Sequence, residues 1–294
     1  MKNICRIVFI TIGLFGFLTS IAHAQQKGLL WQITGKGITQ PTYLYGTIHL
    51  FDTTLYKLPE AVMSKLSQTK QVYFELDFGK LNPAEMMPYI MVKDTTQQLD
   101  KILDAASLAK LKEIAKTSPM MQAMGPMLYK FKPIFLTTLL LNNGKAVTID
   151  MEMYKRAVAL KDSVGGIETV TEQMQAIDAI SVPKQAQMMQ EFLKSYTSAD
   201  DLIKKLTEIY VKQDVEHLMD ELNNNAPIDA SFNEALLIKR NIVMADRIEK
   251  LVGKQSTMIA VGGGHLGGEK GLIKLLKQKG YQLKSVPFTF VKAK

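Results

Sequence analysis

Two histidines stand three residues after a glycine, each at the end of an apolar run. Gly46 precedes His49 in TYLYGTIH, and Gly262 precedes His265 in MIAVGGGH. Neutral imidazoles coordinate divalent transition metals and exchange protons near neutral pH, so a pair of them is suited to metal-assisted or acid-base chemistry. The run Met258 to Val261 has the character of a buried strand, and Gly262, Gly263 and Gly264 then permit close backbone approaches that a Cβ would forbid. A glycine-rich turn whose histidine faces water is the competing reading. One such four-residue pattern is weak evidence; two, each behind an apolar strand, point to half-sites that meet in the fold.

Four further charged residues stand in or beside patterns that are otherwise apolar. Glu75 lies in QVYFELDF, expected as a strand over 71–78, and a carboxylate there must be paired, hydrogen-bonded or cation-bound unless the strand is half exposed. Glu168 follows a short strand expected at 164–167 and precedes a helix starting near Thr169 or Thr171, where it could cap or act as a ligand. Arg240 and Arg247 are seven residues apart in LLIKRNIVMADRIEKL, so one of them could reach a sheet edge. His217, in VEHLMDEL, is read as an exposed helical histidine despite its acidic neighbours.

The elements that must position these residues alternate between strand and helix. Strands are expected at 31–33 and 42–49, a helix at 59–69, then the strand carrying Glu75. This order resembles a βαβ unit, which would place both strands' carboxyl ends at one edge of a sheet. Residues 95–141 read as mostly helical, broken at 117–119, 125–126 and Pro133, forming a cover whose methionines, Phe131 and Phe135 could line a substrate groove. Helices are expected at 149–160, 186–196, 199–222 and 230–251, with an amphipathic helix from Glu269 whose N-terminal amides would face the histidine pocket, and a last strand at 281–286.

Lys2 and Arg6, an apolar run from Ile7 to Leu18 and Ala22-His23-Ala24 have the form of a secretory signal over 1–24, leaving one domain at 25–294 that is exported to the periplasm or secreted. No later stretch is long and apolar enough to suggest a transmembrane helix. The only cysteine, Cys5, lies in that leader, so no disulfide is expected. The formal charge is +8. Its lysines alternate with acids along helices and no nucleic-acid motif is present, so nucleic acid is not an expected partner.

WQITGKG with TYLYGTIHL, VYFELD, VGGIETVTEQ, KRNIVMADRI and MIAVGGGHLGGEKGLIKLLKQKGYQL, in this order, resemble the TraB/GumN family, which includes the TIKI proteins. The resemblance implies an α/β fold with a central mixed β-sheet flanked by helices, similar to erythromycin-esterase-like and ChaN-like proteins, with the two histidine units facing one another across one site. It also implies metal-dependent peptidase activity. Matched position by position, its residues are Gly46, His49, Glu75, Glu168, Arg240, Gly262 and His265. His49, Glu75, Glu168 and His265 would then bind a divalent manganese, cobalt, zinc or iron ion; His49, His265 and Glu75 could serve as bases; Arg240 would bind a substrate carboxylate or stabilise an oxyanion. The leading expectation is an exported metal-dependent hydrolase of peptides or proteins. The alternatives are a periplasmic protein that binds metal, haem or peptide without turnover, and an envelope interaction module in which the histidines are structural.

Overall fold

The computed structural model describes residues 27–141, 144–223 and 230–294. The expected leader, with Cys5 and His23, lies outside the described residues. Six strands form one mixed sheet: β1 (Leu30–Thr34), β2 (Thr42–Thr47), β3 (Gln71–Phe74), β4 (Ser163–Gly166), β5 (Thr257–Gly262) and β6 (Gln282–Ser285), in the order β4-β3-β5-β2-β1-β6. The four strands from β4 to β2 run parallel, whereas β1 is antiparallel to both β2 and β6. All of β2 and all but the last residue of β5 are buried, as expected of parallel strands covered on both faces.

The connection leaving β2 crosses β5 to reach β3, whereas the one leaving β5 runs the opposite way to β6. Connections that diverge from neighbouring parallel strands leave a crevice beyond their carboxyl ends. The helices Glu60–Leu66 and Ile149–Ala159 pack together against the sheet, as do Lys239–Leu251 and Leu272–Gln278. Their apolar faces join the strands in one core that includes Leu44, Phe74, Met244 and Ile259.

A second core, centred on Leu99, Leu111, Leu136 and Met189, lies within the helical region. It combines helices of 95–141, among them Ala105–Thr117 and Pro133–Leu140, with the later helix Val182–Ser195. The cover therefore recruits a helix from outside the segment read from sequence. The buried ammonium of Lys132 pairs with Asp178, tying cover to the sheet side. Among the described residues no helix is long and apolar enough to cross a membrane.

Several element boundaries differ from expectation. β2 ends at Thr47, so His49 follows the strand, and β3 ends at Phe74, so Glu75 and Asp77 leave the ladder before Asp77 caps a short 3-10 turn. The helix expected over 199–222 breaks between Tyr210 and Leu218, which puts His217 in a turn. The last helix starts at Leu272, and the Ile273 N–H donates to the Leu266 carbonyl; its first turn closes on the glycine loop and none of it lines the histidine pocket. There the glycines that favour tight backbone closure outweigh the helical pattern.

Candidate functional site

Four neighbouring parallel strands release four polar residues at the same edge. Glu168 follows β4, Glu75 follows β3, His265 ends the 3-10 turn after β5, and His49 follows β2. Register makes this specific: Thr47 is opposite Gly262, Phe74 opposite Ala260, and the Glu168 N–H donates to the Glu75 carbonyl at 2.8 Å. The two glycines of the histidine units are needed for close approach. A Cβ on Gly46 would lie 2.6 Å from Leu266 Cδ1 and 3.0 Å from Gly263 Cα; one on Gly262 would lie 3.2 Å from Glu75 Oε1. The Tyr210 hydroxyl fixes the end of β2 by donating to the Gly46 carbonyl at 2.6 Å, and its oxygen lies 2.8 Å from the Tyr45 hydroxyl.

Glu75 is at the centre. Its Oε1 accepts from the Gly262 N–H at 2.7 Å and lies 3.5 Å from His265 Nε2. Its Oε2 accepts from Arg240 Nη2 at 2.6 Å and from Gln173 Nε2 at 3.1 Å. Burial alone would raise this carboxyl, but His265, Arg240, His49 and the Gly262 N–H pull it down to about 2. Glu168 receives Arg240 Nε on both oxygens, at 3.1 and 3.0 Å, and Nη2 on Oε2 at 2.6 Å. Arg240 Nη1 donates to the Leu236 carbonyl at 2.9 Å. The guanidinium, expected to face substrate, thus directs most of its donors to the protein's own acceptors, and Glu168 serves as its counter-ion.

The two imidazoles sit in contrasting environments. His265 is 4% exposed, and burial drives it down to about 4 in spite of Glu75 beside it, with Arg240 and His49 adding to the fall. For His49, desolvation is the largest single influence and acts to lower its pKa, although the side chain keeps an open face on the cavity. Its Asp150 partner, by hydrogen bond and by charge, then prevails with help from Glu75 and raises it to about 9. One histidine is therefore neutral at pH 7 and the other favours the charged form, a separation suited to acid and base roles.

Asp150 and Asn241 were not singled out by sequence. Asp150 accepts from Thr47 Oγ1 at 2.6 Å and lies 3.1 Å from His49 Nδ1; Asn241 Oδ1 lies 2.6 Å from His265 Nδ1. Neither belongs to a spacing that announces a site. The available signals were an acid in the first turn of an otherwise amphipathic helix and an amide directly beside Arg240. Arg247 turns away from this cluster to Glu172 and the Ile167 carbonyl, and His217 lies 3.1 Å from Asp214 in its turn.

The cluster forms one end of a cavity of roughly 630 Å3 that reaches the cover. Its far wall is apolar, with Phe135, Met174, Met188 and Phe192. By donor type, two imidazoles and a carboxylate fit a divalent ion, and each histidine has Nδ1 on an outer side-chain partner, as metal-bound histidines do. Among the described residues, however, no three His, Cys, Asp or Glu side chains are gathered closely enough to hold a metal ion.

A model of the TraB/PrgY/gumN family matches residues 29–285. The chain is similar to "Metalloprotease TIKI1" of Xenopus tropicalis, 24% identical over 326 aligned residues, covering 90% of this chain and 63% of that protein. It is 22% identical to "Metalloprotease TIKI2" of Danio rerio, with coverage of 91% and 62%, and 21% identical to "Metalloprotease TIKI1" of Homo sapiens, with coverage of 90% and 63%. The chain thus spans less than two thirds of the length of these relatives. No solved structure matches it.

Proposed function

The chain belongs to the TraB/PrgY/gumN family, and on that premise we propose that it is an exported, metal-dependent hydrolase of peptides or proteins. The observation that carries the reading is the convergence of His49, Glu75 and His265 at the polar end of an apolar cavity, on the carboxyl edge of four parallel strands. The metalloprotease relatives supply the reaction class; export rests on the leader pattern of residues 1–24.

His49 Nε2, His265 Nε2 and a Glu75 oxygen would hold the ion. A divalent ion there would polarise a carbonyl and acidify a water molecule. The chain's own residues account for the remaining work. Arg240 and the Gly262 N–H keep Glu75 ionised and fixed, the state in which a carboxylate can hold a cation. Glu168 holds Arg240 in place through its Nε and Nη2. Asp150 anchors His49 through Nδ1 and so aims Nε2 into the cavity, where the ion would sit. The apolar wall excludes water and accepts side chains of an extended substrate.

The test is hydrolysis of a peptide library by the exported form, supplied in turn with manganese, cobalt, zinc and iron. Cleavage that requires a metal and is lost in folded His49→Ala and His265→Ala is the expected result. Tight metal retention with no cleavage of any peptide, or cleavage unchanged by both substitutions, would overturn it.

A further inference from the structure

We propose that Asn241 is a positioning residue that fixes His265 in its Nδ1–H tautomer, so that the bare Nε2 faces Glu75 and the cavity. Two hydrogen bonds determine the assignment. Asn241 Nδ2 donates to the Lys270 carbonyl at 2.9 Å, and a main-chain carbonyl can only accept. This orients the amide and leaves Oδ1, also only an acceptor, 2.6 Å from His265 Nδ1. The ring must therefore place its proton on Nδ1.

Geometry also settles a competition. A neutral imidazole has one N–H, and two acceptors seek it from opposite sides: Asn241 Oδ1 at 2.6 Å from Nδ1, and Glu75 Oε1 at 3.5 Å from Nε2. The shorter contact is of hydrogen-bond length and the longer one is at its limit. Asn241 is 3% exposed, so no water substitutes for either partner at low cost.

The loop after His265 is shaped to supply the orienting carbonyl. A Cβ at Gly267 would lie 2.0 Å from the Val215 carbonyl oxygen, and one at Gly271 would lie 2.1 Å from the Gly267 oxygen. Only glycine at both positions lets the loop fold back far enough to present Lys270 to the helix Lys239–Leu251. That helix also follows a π turn, Glu234–Ile238, of the kind that re-aims side chains at functional sites. Its consecutive residues Arg240 and Asn241 then divide the cluster, one holding the carboxylates and the other the imidazole.

The consequence for catalysis rests on the proposed function, but the tautomer can be read without substrate or ion. The chain has 4 histidines, so imidazole 15N correlation spectra of the ion-free protein are simple, and His265→Gln identifies the relevant signals. In the unmodified protein Nδ1 should carry the proton. Asn241→Leu should move the proton to Nε2, towards Glu75, and Asn241→Asp, which keeps an acceptor, should restore Nδ1–H. Zinc titration should show affinity falling by about 10- to 100-fold in Asn241→Leu and recovering in Asn241→Asp. A proton on Nε2 in the unmodified protein overturns the proposal even if the leucine variant fails to fold, and so does a folded Asn241→Leu that keeps Nδ1–H. The expected tautomer shift in a protein that neither binds zinc nor cleaves peptides would leave this inference standing and remove the hydrolase reading.

Discussion

Arg240 shows how charge is balanced residue by residue. It is the guanidinium between two buried carboxylates, Glu75 and Glu168, and it is itself only 9% exposed. Removing one member of such a group leaves an uncompensated charge in a poorly solvated place. Arg240→Met should therefore lower unfolding free energy by about 3 to 5 kcal/mol, read by urea denaturation. Arg240→Lys should recover only part, because one ammonium cannot reproduce the fork that meets both acids. A melting curve unchanged by the methionine substitution would show that the carboxylates do not depend on this partner. The pairing also marks the limit of sequence reading at this scale. His49, His265 and Glu168 are visible as polar residues at strand ends, Glu75 as an acid inside an apolar strand and Arg240 as one of two helical arginines, and the fold brings them together. Their division of labour was not visible: Glu168 looks like a ligand until Arg240 is found on both its oxygens. Asp150 and Asn241 were missed because their partners lie 101 and 24 residues away in sequence.

At the scale of elements, the segment from Glu168 to Asp178 shows local signals translating directly into structure. Thr169 and Glu172 form a reciprocal capping box at the start of Val170–Asp178, the arrangement that T-x-x-E announces. Glu172 also receives Arg247 from the neighbouring helix, and the Arg247 hydrogen bond, with help from Thr169 and against burial, lowers its pKa from 4.5 to about 2. A carboxyl depressed in the folded state stabilises it above the unfolded value, and that contribution is lost as pH falls from about 4.5 towards 2. Melting temperature should thus fall more steeply over that window in the unmodified protein than in Glu172→Gln; parallel curves would exclude the linkage. The glycine loop gives a second element-scale prediction. Gly267→Ala brings a Cβ to 2.0 Å from a backbone oxygen, which must displace the loop after His265. A loss of more than about 2 kcal/mol is expected, with weaker zinc binding than in an alanine control at Gly268, where a Cβ meets nothing within 4 Å but φ is +82°. Gly267 is not at positive φ, so its substitution carries the clash alone, whereas the control carries the backbone strain alone. In the sequence, close backbone approach is assigned to Gly262, Gly263 and Gly264, and the later glycines carry no separate role. The contacts assign Gly267 and Gly271 to loop closure instead, a property of the tertiary neighbour Val215 that no local pattern encodes.

Over the whole molecule, the proposed site lies where two separately packed bodies of side chains face each other. The edge of the sheet supplies the histidines and acids; the helical core around Leu136 adds Met189 and Phe192 to the apolar wall, and a smaller cluster around Leu236 adds Ile134 and Met188. The alternation of strands and helices made the α/β sheet legible. The cover's membership was less so, because Val182–Ser195 joins it only through tertiary contacts of Ala186, Met189 and Phe192. Two large cores linked through a smaller apolar cluster around Leu236 and the pair Lys132 to Asp178 are expected to lose structure in sequence rather than at once. Leu136 is fully buried in the cover, and Leu136→Ala should cost about 2 to 5 kcal/mol locally. In hydrogen exchange on the full chain, amides of Ala105–Thr117 and Pro133–Leu140 should then lose protection while β2 and β5 keep theirs. Leu44→Ala, in the sheet core, should instead weaken protection in both bodies, because the cover's apolar wall is completed by residues that the sheet positions. If Leu136→Ala lowers protection of β2 and β5 equally, the cover and sheet form a single cooperative unit, and the cavity between them has rigid walls rather than one wall able to yield to substrate.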